Sequence, residues 1–473
     1  MREPDDELLR LPPVELVAII RRQQEMIDKL EKRVAALEAE LRESKKSKAA
    51  FSKGTRKLHP RKPGRKAGQG RFTNRPKPEP RPNDTLEDIE VPLNADQREC
   101  PLCKVPLETT TEEATVEDTP AVPTRIIKRF TVEVGRCPIC GRTVRGRHPD
   151  LSPYQNGANA HQTGPHVKAQ ALALHYHSGL PLCKVPHVIS QSTGISLTQS
   201  ALTQFACTLS DEGGRLHREY GILKERVATS PVVNTDDTGW RINAVMAFLM
   251  GFFTADTAYY QIRYRHRHQE VLEVLRPGIK RLIGTDRGTS YEASVFDEEE
   301  MQKCLSHLLK NLSEVEKNKT GRAKHFTSHL KKLLREGIAL WQKYRAKETS
   351  LLTYRRQGRT LQNEINHHLR DRCLTDRDNQ RLLDGIGLQA DRGRLTLFLR
   401  HPEIEPTNNR AERGLRPAVI ARKVSHCSKN ERGAKAYGVM KTIFTTLALR
   451  TNNIIKAFSE LLRGKSLEAS CER

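Results

Sequence analysis

Acidic residues occur at three points of the chain where carboxylates could bind metal ions. Asp236 and Asp237 follow one apolar segment, Asp286 follows another, and Glu412 stands at the start of a predicted helix. Paired Mg²⁺ or Mn²⁺ ions, about 3.5–4 Å apart, prefer such oxygen ligands and can clamp the attacking and leaving oxygens of a phosphodiester. Each acid also has a simpler explanation, because aspartates initiate turns and Asn409-x-x-Glu412 matches a helix capping box. Their joint placement favours metal-dependent phosphodiester chemistry.

The elements that would position the first two acids follow a βββαβ order. The first predicted strand begins at 231 and ends in the Asp236 pair, and the later elements are strands over 244–253, 258–263 and 281–284 and a helix over 269–275. This is the order of a ribonuclease H-like sheet, in which the first and fourth strands lie side by side. The pattern therefore predicts that Asp236 and Asp286 can share a metal ion.

The third acid is separated from this sheet by a long helical segment. Between Asp286 and Glu412 lie 125 residues, more than a compact core needs. Apolar residues between 326 and 341 follow a helical period, and 361–383 carries further helical pattern. We predict a helical insertion, whose lysines and arginines either contact DNA or form an ordinary solvated face.

Two Cys-x-x-Cys pairs indicate a second kind of metal site. They are Cys100 with Cys103 and Cys137 with Cys140, separated by 33 residues. Four thiolates in this pattern hold structural Zn²⁺ tetrahedrally, whereas the duplicated motif and the lack of a βαβ context disfavour a redox role. Residues 124–134 alternate like a strand, so we expect a zinc ribbon-like module that the metal stabilises.

The N-terminal region carries a heptad pattern. Its two core positions are occupied by Ile20, Ile27, Val34 and Leu41, and by Leu16, Gln23, Leu30 and Leu37. Such a pattern predicts a coiled coil and therefore self-association, with intramolecular packing of the helix as the alternative.

Strong positive charge points to nucleic acid as a partner. The chain has 81 Lys and Arg against 57 Asp and Glu, a net charge of +24. Residues 45–77 contain thirteen of these cations and no acid, so we predict a disordered segment. In it, Arg61, Lys62, Arg65 and Lys66 could follow a minor groove or a phosphate track, or simply belong to a solvated linker.

Membrane insertion and secretion are not expected. The longest apolar run, Ala244–Phe253, has ten residues, which is about half of what a membrane-spanning helix needs. The charged N-terminus is not followed by an uninterrupted apolar segment, so it does not match a secretory signal.

Residues 165–210 predict three short helices. The segment 182–189, a turn at 192–194 that contains glycine, and a helix over 197–209 capped by Ser196 have helix-turn-helix spacing. Any pair of antiparallel helices looks similar, so DNA contact here is one of two interpretations.

Taken in order, these segments resemble the insertion-sequence sixty-six family of bacterial DDE transposases over nearly the whole chain. The matching motifs are Asp236-Asp237-Thr238-Gly239-Trp240, Thr285-Asp286-Arg287, Cys304-x-x-His307 and Pro406-Thr407-Asn408-Asn409-x-Ala411-Glu412-Arg413. The resemblance implies a catalytic triad of Asp236, Asp286 and Glu412. It also implies that Cys304 with His307 forms the family's Cys-x-x-His motif, whose role as core or metal ligand stays open. The family commonly has Glu where Asp237 stands and Trp where Leu305 stands.

Length, composition and motifs, together with this resemblance, predict a multidomain α/β protein with a ribonuclease H-like core. The expected domains are a coiled coil over 1–44, a basic linker over 45–94, a zinc-binding module over 95–150, a helical region over 151–228, a ribonuclease H-like core over 229–312 and 396–434, a helical insertion over 313–395, and C-terminal helices over 435–473.

The implied activity is transposition by two-metal chemistry. Such an enzyme uses Mg²⁺ or Mn²⁺ to cleave at element ends and joins the freed 3′-OH to target DNA. Arg416 and Lys423 are candidates for phosphate contacts. A bacterial cytoplasmic, nucleoid-associated location and accessory proteins of the same element are also expected. The alternative is a non-catalytic DNA-binding regulator, or a domesticated transposase without activity.

Overall fold

The structure is a computed structural model that describes residues 12–44, 126–131, 133–136, 138–140, 143–145, 148–150, 163–286, 289–296, 300–317, 319–370 and 373–471. The chain forms two compact units. The first comprises Met1–Thr55, Phe130–Ile189 and Ser196–Arg473, and the second comprises Arg56–Arg129 and Ser190–Ile195. The elements that position the candidate site belong to the first unit.

Within the described residues, seven strands form two sheets. They are β1 Val134–Arg136, β2 Thr143–Arg145, β3 Val232–Ile242, β4 Val245–Phe253, β5 Ala258–Arg263, β6 Leu282–Thr285 and β7 Glu300–Lys303. The small sheet pairs β1 with β2 in antiparallel register. In the five-stranded sheet the order is β5-β4-β3-β6-β7, with β3, β4 and β5 antiparallel and β6 and β7 parallel to β3.

Helices make up most of the remaining described chain. They are α1 Pro13–Ser44, α2 Pro165–Tyr176, α3 Val185–Thr193, α4 Gln199–Ser210, α5 Arg215–Ala228, α6 His268–Leu272, α7 Leu305–Glu316, α8 Gly321–Arg345, α9 Leu351–Leu369, α10 Arg377–Asp391, α11 Leu397–Arg400, α12 Asn409–Ser425, α13 Glu431–Arg450, α14 Ile454–Arg463 and α15 Leu467–Ser470. The mixed α/β class predicted from the sequence is confirmed. None of the helices in these described ranges is both long and apolar enough to cross a bilayer.

Strand β3 is longer than the sequence pattern predicts. It was expected to end at the acids, but it continues to Ile242 because β4 pairs with it along its length, from Asn234 with Phe253 to Ile242 with Val245. The connecting turn is Asn243-Ala244, in which both residues have positive φ angles of 47° and 65°. Two-residue hairpins favour this left-handed pair, usually with glycine at the second position.

The five-stranded sheet is buried on both faces. One face packs against α12 and α13 through Trp240, Leu249 and Phe253. The other face is covered by α6 and by two 3-10 turns, Thr289–Tyr291 and Ser294–Phe296. Because these strands are covered on both faces, they hold Asp236, in β3, and Asp286, directly after β6, in fixed positions.

The segment between the sheet and α12 forms a helical core of its own. Leu305 and Leu308 of α7 pack with Phe326 and Leu330 of α8, and the cluster continues through α9, α10 and α11 to Phe398. The helical character predicted for this stretch is therefore confirmed. The further helical pattern over 361–383 falls on two helices, since α9 ends at Leu369 and α10 begins at Arg377.

Two smaller predictions require correction. The expected cap Ser196 is not the cap of α4; the Thr198 side chain accepts a hydrogen bond from the Ala201 N–H at 3.2 Å. The strand expected over 124–134 is also wrong for the part that is described, since residues 126–131 and 133 are not in a strand and β1 begins only at Val134.

Candidate active site

Asp236 and Asp286 follow paired residues in two neighbouring parallel strands. In the ladder between β3 and β6, Thr235 pairs with Thr285, and each threonine is followed directly by one of the acids. Asp286 is buried, and Asp236 is half-buried. Because β3 and β6 run in the same direction, their two acids lie at the same edge of the sheet.

Asp236 and Asp237 point to opposite faces of the sheet. Side chains alternate along a strand, and Asn234, two residues before Asp236, reaches the start of α12. Asp236 therefore faces α12. On the other face, a carboxylate oxygen of Asp237 lies 3.6 Å from Nδ1 of His266. Only Asp236 of the pair shares a side of the sheet with Glu412.

The surroundings of Asp236 disfavour its negative charge. The pKa of Asp236 is raised to about 8. Burial is the largest cause, and the negative charges of Asp286, Asp237 and Glu412 contribute to the same rise. The Asp237 N–H donates a 2.8 Å hydrogen bond to Asp236 Oδ1, which opposes the rise in pKa only in part. Clustered carboxylates that repel one another fit a divalent cation, whose charge would offset the repulsion.

Helix α12 supplies the third acid. Glu412 lies in its first turn, and its side chain is 42% exposed. The helix can approach the sheet closely because Gly414 and Gly251 have no side chain. The Phe253 ring occupies the space that a Cβ atom would need at either position. A side chain at either glycine would push α12, and Glu412 with it, away from Asp236.

Glu412 also faces a thiol and an imidazole. Nε2 of His307 lies 3.7 Å from Oε1 of Glu412. One ligand atom each of Cys304, His307 and Glu412 fall within 4.8 Å of one another. Burial raises the pKa of the Cys304 thiol, which backbone N–H groups at the start of α7 and α12 partly counteract. Sulfur and imidazole ligands suit a softer ion such as Zn²⁺.

The two cations predicted on α12 are both accessible. Arg416 and Lys423 are exposed, and neither makes an ion pair with any residue in the ranges that the structure describes. Arg422 differs from them, because its guanidinium donates to Thr238 Oγ1 at 3.2 Å and to the Gly239 carbonyl. Arg416 and Lys423 are therefore free to meet phosphate, whereas Arg422 is tied to β3.

The other predicted site residues are mostly outside the described part of the chain. Arg61, Lys62, Arg65 and Lys66 lie outside it, and so do Cys100, Cys103 and Cys137. Of the predicted zinc ligands only Cys140 is described, with its thiol exposed.

Comparison with known proteins gives the family. The model of the transposase IS66 family matches residues 161–436, which is more than half of the 473 residues. The chain belongs to the IS66 transposase family. No curated protein matches it. Family membership implies that the protein binds DNA and has nuclease and strand-transfer activity in a general sense, with a dependence on divalent metal.

The sequence pattern missed Asn408. Its block, Pro406-Thr407-Asn408-Asn409, was noted as a motif and interpreted only as the start of a helix. The structure shows that Asn408 is buried and that its side chain contacts β3 instead of capping α12. A buried asparagine can be recognised only when the partners across the fold are known.

Proposed function

We propose that this IS66-family transposase uses Asp236, Asp286 and Glu412 to hold two divalent cations for DNA cleavage and strand transfer. The observation that carries this proposal is the convergence of the three carboxylates. Two stand side by side on parallel strands, and the third, from α12, is close enough for its charge to raise the pKa of Asp236.

A ribonuclease H-like core is the fold that these features support. Three antiparallel strands followed by two parallel ones, in the order β5-β4-β3-β6-β7, agree with the predicted side-by-side placement of β3 and β6. The core would comprise 229–312 and 396–434, with 313–395 as an insertion. The buried residues that α8, α9 and α10 share support treating that insertion as a helical layer packed on the core.

The three carboxylates would perform complementary tasks. Buried Asp286 offers a fixed ligand, while Asp236 binds once its proton has left. Glu412 is the exposed member of the three carboxylates and would be the third metal ligand, on the side from which DNA can reach the site. Bound Mg²⁺ or Mn²⁺ would activate the attacking oxygen and stabilise the leaving oxygen. The substrate would be the phosphodiester at an element end, whose freed 3′-OH then attacks target DNA.

DNA would pass along the exposed side of α12. Arg416 and Lys423 lie one and three turns beyond Glu412, so the three residues fall on one face of the helix. Their lack of ion-pair partners among the described residues leaves both cations available for phosphate. The basic residues Arg61, Lys62, Arg65 and Lys66 and the helical region 151–228 would add further contacts.

The N-terminal parts would organise the complex. We propose self-association through a coiled coil over 1–44 that contains α1, a basic linker over 45–94, and a zinc-binding module over 95–150 that uses Cys100, Cys103, Cys137 and Cys140. Protein purified without chelators would then contain about one zinc ion per chain. The C-terminal helices of 435–473 would brace the core, and accessory proteins of the same element would join a complex on the bacterial nucleoid.

The direct test is metal-dependent nicking of labelled element-end DNA. Asp236→Asn, Asp286→Asn and Glu412→Gln keep side-chain size but remove a charge, so each should abolish nicking with little loss of DNA affinity. Asp237→Asn is the matched control, because Asp237 lies on the opposite face beside His266. It should keep most of the activity.

A non-catalytic DNA-binding protein is the competing function. It would bind element-end DNA with the same steep salt dependence, since each neutralised phosphate releases counterions. Cleavage by all four variants at the parental rate would reject the three-carboxylate site. DNA binding without cleavage by the parent, in Mg²⁺ and in Mn²⁺ and with the element's accessory proteins present, would favour the competing function.

A further inference from the structure

Asn408 is joined to the rest of the site by four hydrogen bonds. Its Nδ2 donates to the Thr235 carbonyl at 2.8 Å, and its Oδ1 accepts from Asn234 Nδ2 at 3.2 Å. Its backbone N–H donates to Cys304 Sγ at 3.2 Å, and its carbonyl accepts the Glu412 N–H at 3.1 Å. The residue is only 1% exposed, so these bonds replace water completely.

The bonds of Asn408 connect positions next to all three acids. Thr235 directly precedes Asp236, and the bond to Glu412 is part of α12 itself. The link to Asp286 passes through Cys304, whose N–H donates to the Thr285 carbonyl at 2.9 Å. One short chain of hydrogen bonds therefore ties β3, the end of β6 and the start of α12 together.

The side chain of Asn408 is not used for helix capping. Asn408 is the N-cap residue of α12, yet no side-chain cap bond is formed. Asparagine at this position usually bonds an N–H in the first turn and so stabilises the helix. Here that contribution is exchanged for a connection to β3. The side chain of Asn408 therefore fixes the position of α12 on the sheet and does not stabilise the end of the helix.

Gly284 makes room for this connection. It pairs with Asn234 in the ladder between β3 and β6. A Cβ atom at 284 would collide with the amide nitrogen of Asn234, the same nitrogen that donates to Asn408. The asparagine pair thus depends on a glycine in the strand that carries Asp286.

We propose that Asn408 is a positioning residue, which fixes the carboxylate of Glu412 relative to those of Asp236 and Asp286 so that the three can hold divalent cations together. The inference rests on the proposed function and goes beyond it, since it assigns a residue that touches neither metal nor DNA. Buried hydrogen-bond partners that orient metal ligands typically change metal affinity about 10–100-fold when they are removed.

Asn379 supplies a matched control. It is also 1% exposed, and its Nδ2 donates to the Ala323 carbonyl at 2.6 Å, but it lies in α10 within the helical core. Asn379→Ala and Asn408→Ala therefore remove the same kind of buried bond at different places. A purely structural role predicts a similar loss of melting temperature for both variants and no difference in metal requirement.

The experiment measures Mn²⁺ binding by full-length, zinc-replete protein without DNA, using electron paramagnetic resonance of free Mn²⁺, alongside Mn²⁺-dependent nicking. Asn408→Ala should weaken Mn²⁺ binding and raise the Mn²⁺ concentration for half-maximal nicking by about tenfold or more. Saturating Mn²⁺ should restore most of the nicking rate. Asn379→Ala should match the parent in both measurements.

A milder variant covers the case in which Asn408→Ala does not fold. Asn234→Ala removes one of the four bonds and keeps the other three, so it should shift the Mn²⁺ requirement in the same direction by a smaller factor. An Mn²⁺ requirement equal to that of Asn379→Ala in every folded variant would overturn the positioning role.

The outcomes separate this inference from the proposed function. If Glu412→Gln binds Mn²⁺ and nicks DNA like the parent, the three-carboxylate site itself fails. If Glu412→Gln is inactive while Asn408→Ala and Asn234→Ala keep the parental Mn²⁺ requirement, the proposed function stands and the positioning role of Asn408 is rejected.

Discussion

Nε2 of His307 lies 3.7 Å from Oε1 of Glu412, so this acid stands between two kinds of ligand. On one side are the oxygens of Asp236 and Asp286, which suit Mg²⁺ or Mn²⁺. On the other are the imidazole of His307 and the thiol of Cys304, which suit Zn²⁺. A softer ion that recruits Glu412 would compete with the harder ions for the same carboxylate.

Zn²⁺ should therefore inhibit Mg²⁺-dependent nicking, and Cys304→Ser should weaken that inhibition by about tenfold or more, because it removes the sulfur ligand. The measurement is the Zn²⁺ concentration for half-maximal inhibition at fixed Mg²⁺. Cys207→Ser is the control, since Cys207 is a buried free thiol of α4 and is not one of the residues grouped around Glu412. Equal inhibition of all three proteins would show that Cys304 is not a ligand.

Metal affinity should depend on pH through Asp236. Its carboxyl, with a pKa of about 8, holds a proton at neutral pH that a cation must displace. Mn²⁺ affinity should rise by up to about tenfold per pH unit from pH 6 to 8 and level off above that. Calorimetric titrations across this range give the measurement.

Asp237→Asn should move that pH dependence. It removes one of the charges that raise the pKa of Asp236 but leaves the three proposed ligands in place. The inflection in Mn²⁺ affinity should shift to lower pH. An unchanged inflection, or one that moves upward, would contradict the electrostatic origin of the effect.

Lys441 should destabilise the folded protein near neutral pH. It is buried in α13, its Nζ donates to the Tyr176 carbonyl at 3.1 Å, and burial lowers its pKa to about 8. Below pH 8 the ammonium of Lys441 is charged in both the folded and the unfolded protein. Folding must then bury this charge, which costs about 3 kcal/mol of stability. Lys441→Met should raise the melting temperature at pH 7.

The contribution of Lys441 to the free energy of unfolding increases with pH, whereas proteins usually lose stability in base. Between pH 8 and about 10.5 the folded protein gives up this proton first, so the destabilisation fades as pH rises. The gain in melting temperature from Lys441→Met should be largest at pH 7 and small at pH 10. A gain that is constant with pH would assign it to packing instead of charge.

The exposed apolar row on α1 predicts a change of mass on truncation. Ile20, Ile27, Leu30 and Val34 are all between 47% and 61% exposed. Removal of residues 1–44 should lower the oligomeric state measured by light scattering. Ile27→Lys should act in the same direction, while Ala35→Lys, outside the heptad core positions, should not. An unchanged number of chains per particle after truncation would exclude association through α1.

The sequence was informative where apolar residues led directly into acids. Val233 and Ile283 are buried in short apolar runs with strand character, and an acid follows three residues later in each case, at Asp236 and at Asp286. These runs located the strands, and their βββαβ order, which is that of a ribonuclease H-like sheet, predicted that β3 and β6 are neighbours. The pattern did not reveal that β3 continues beyond Asp236, because the true turn, Asn243-Ala244, lacks the glycine that usually marks a left-handed hairpin turn.

Features that depend on distant partners could not be predicted. β7 has the sequence Glu-Met-Gln-Lys and looks exposed, yet Lys303 is buried because Glu292 lies 2.8 Å from its ammonium. Likewise Asn408 belongs to a block that looks only like the start of a helix until Thr235, 173 positions away, is placed beside it. In both cases a polar side chain is buried only because the fold supplies its counterpart.

The return of α12 to the sheet also decides when the site can exist during synthesis. The strands of the five-stranded sheet are complete at Lys303, but 125 residues lie between Asp286 and Glu412. At roughly 5–20 residues per second, the ribosome leaves an interval of about 6–25 s in which a nascent chain carries two of the three acids. A chain released in that interval would retain the basic N-terminal half without the third carboxylate. Under the proposed function, such a released chain would bind DNA without cutting it.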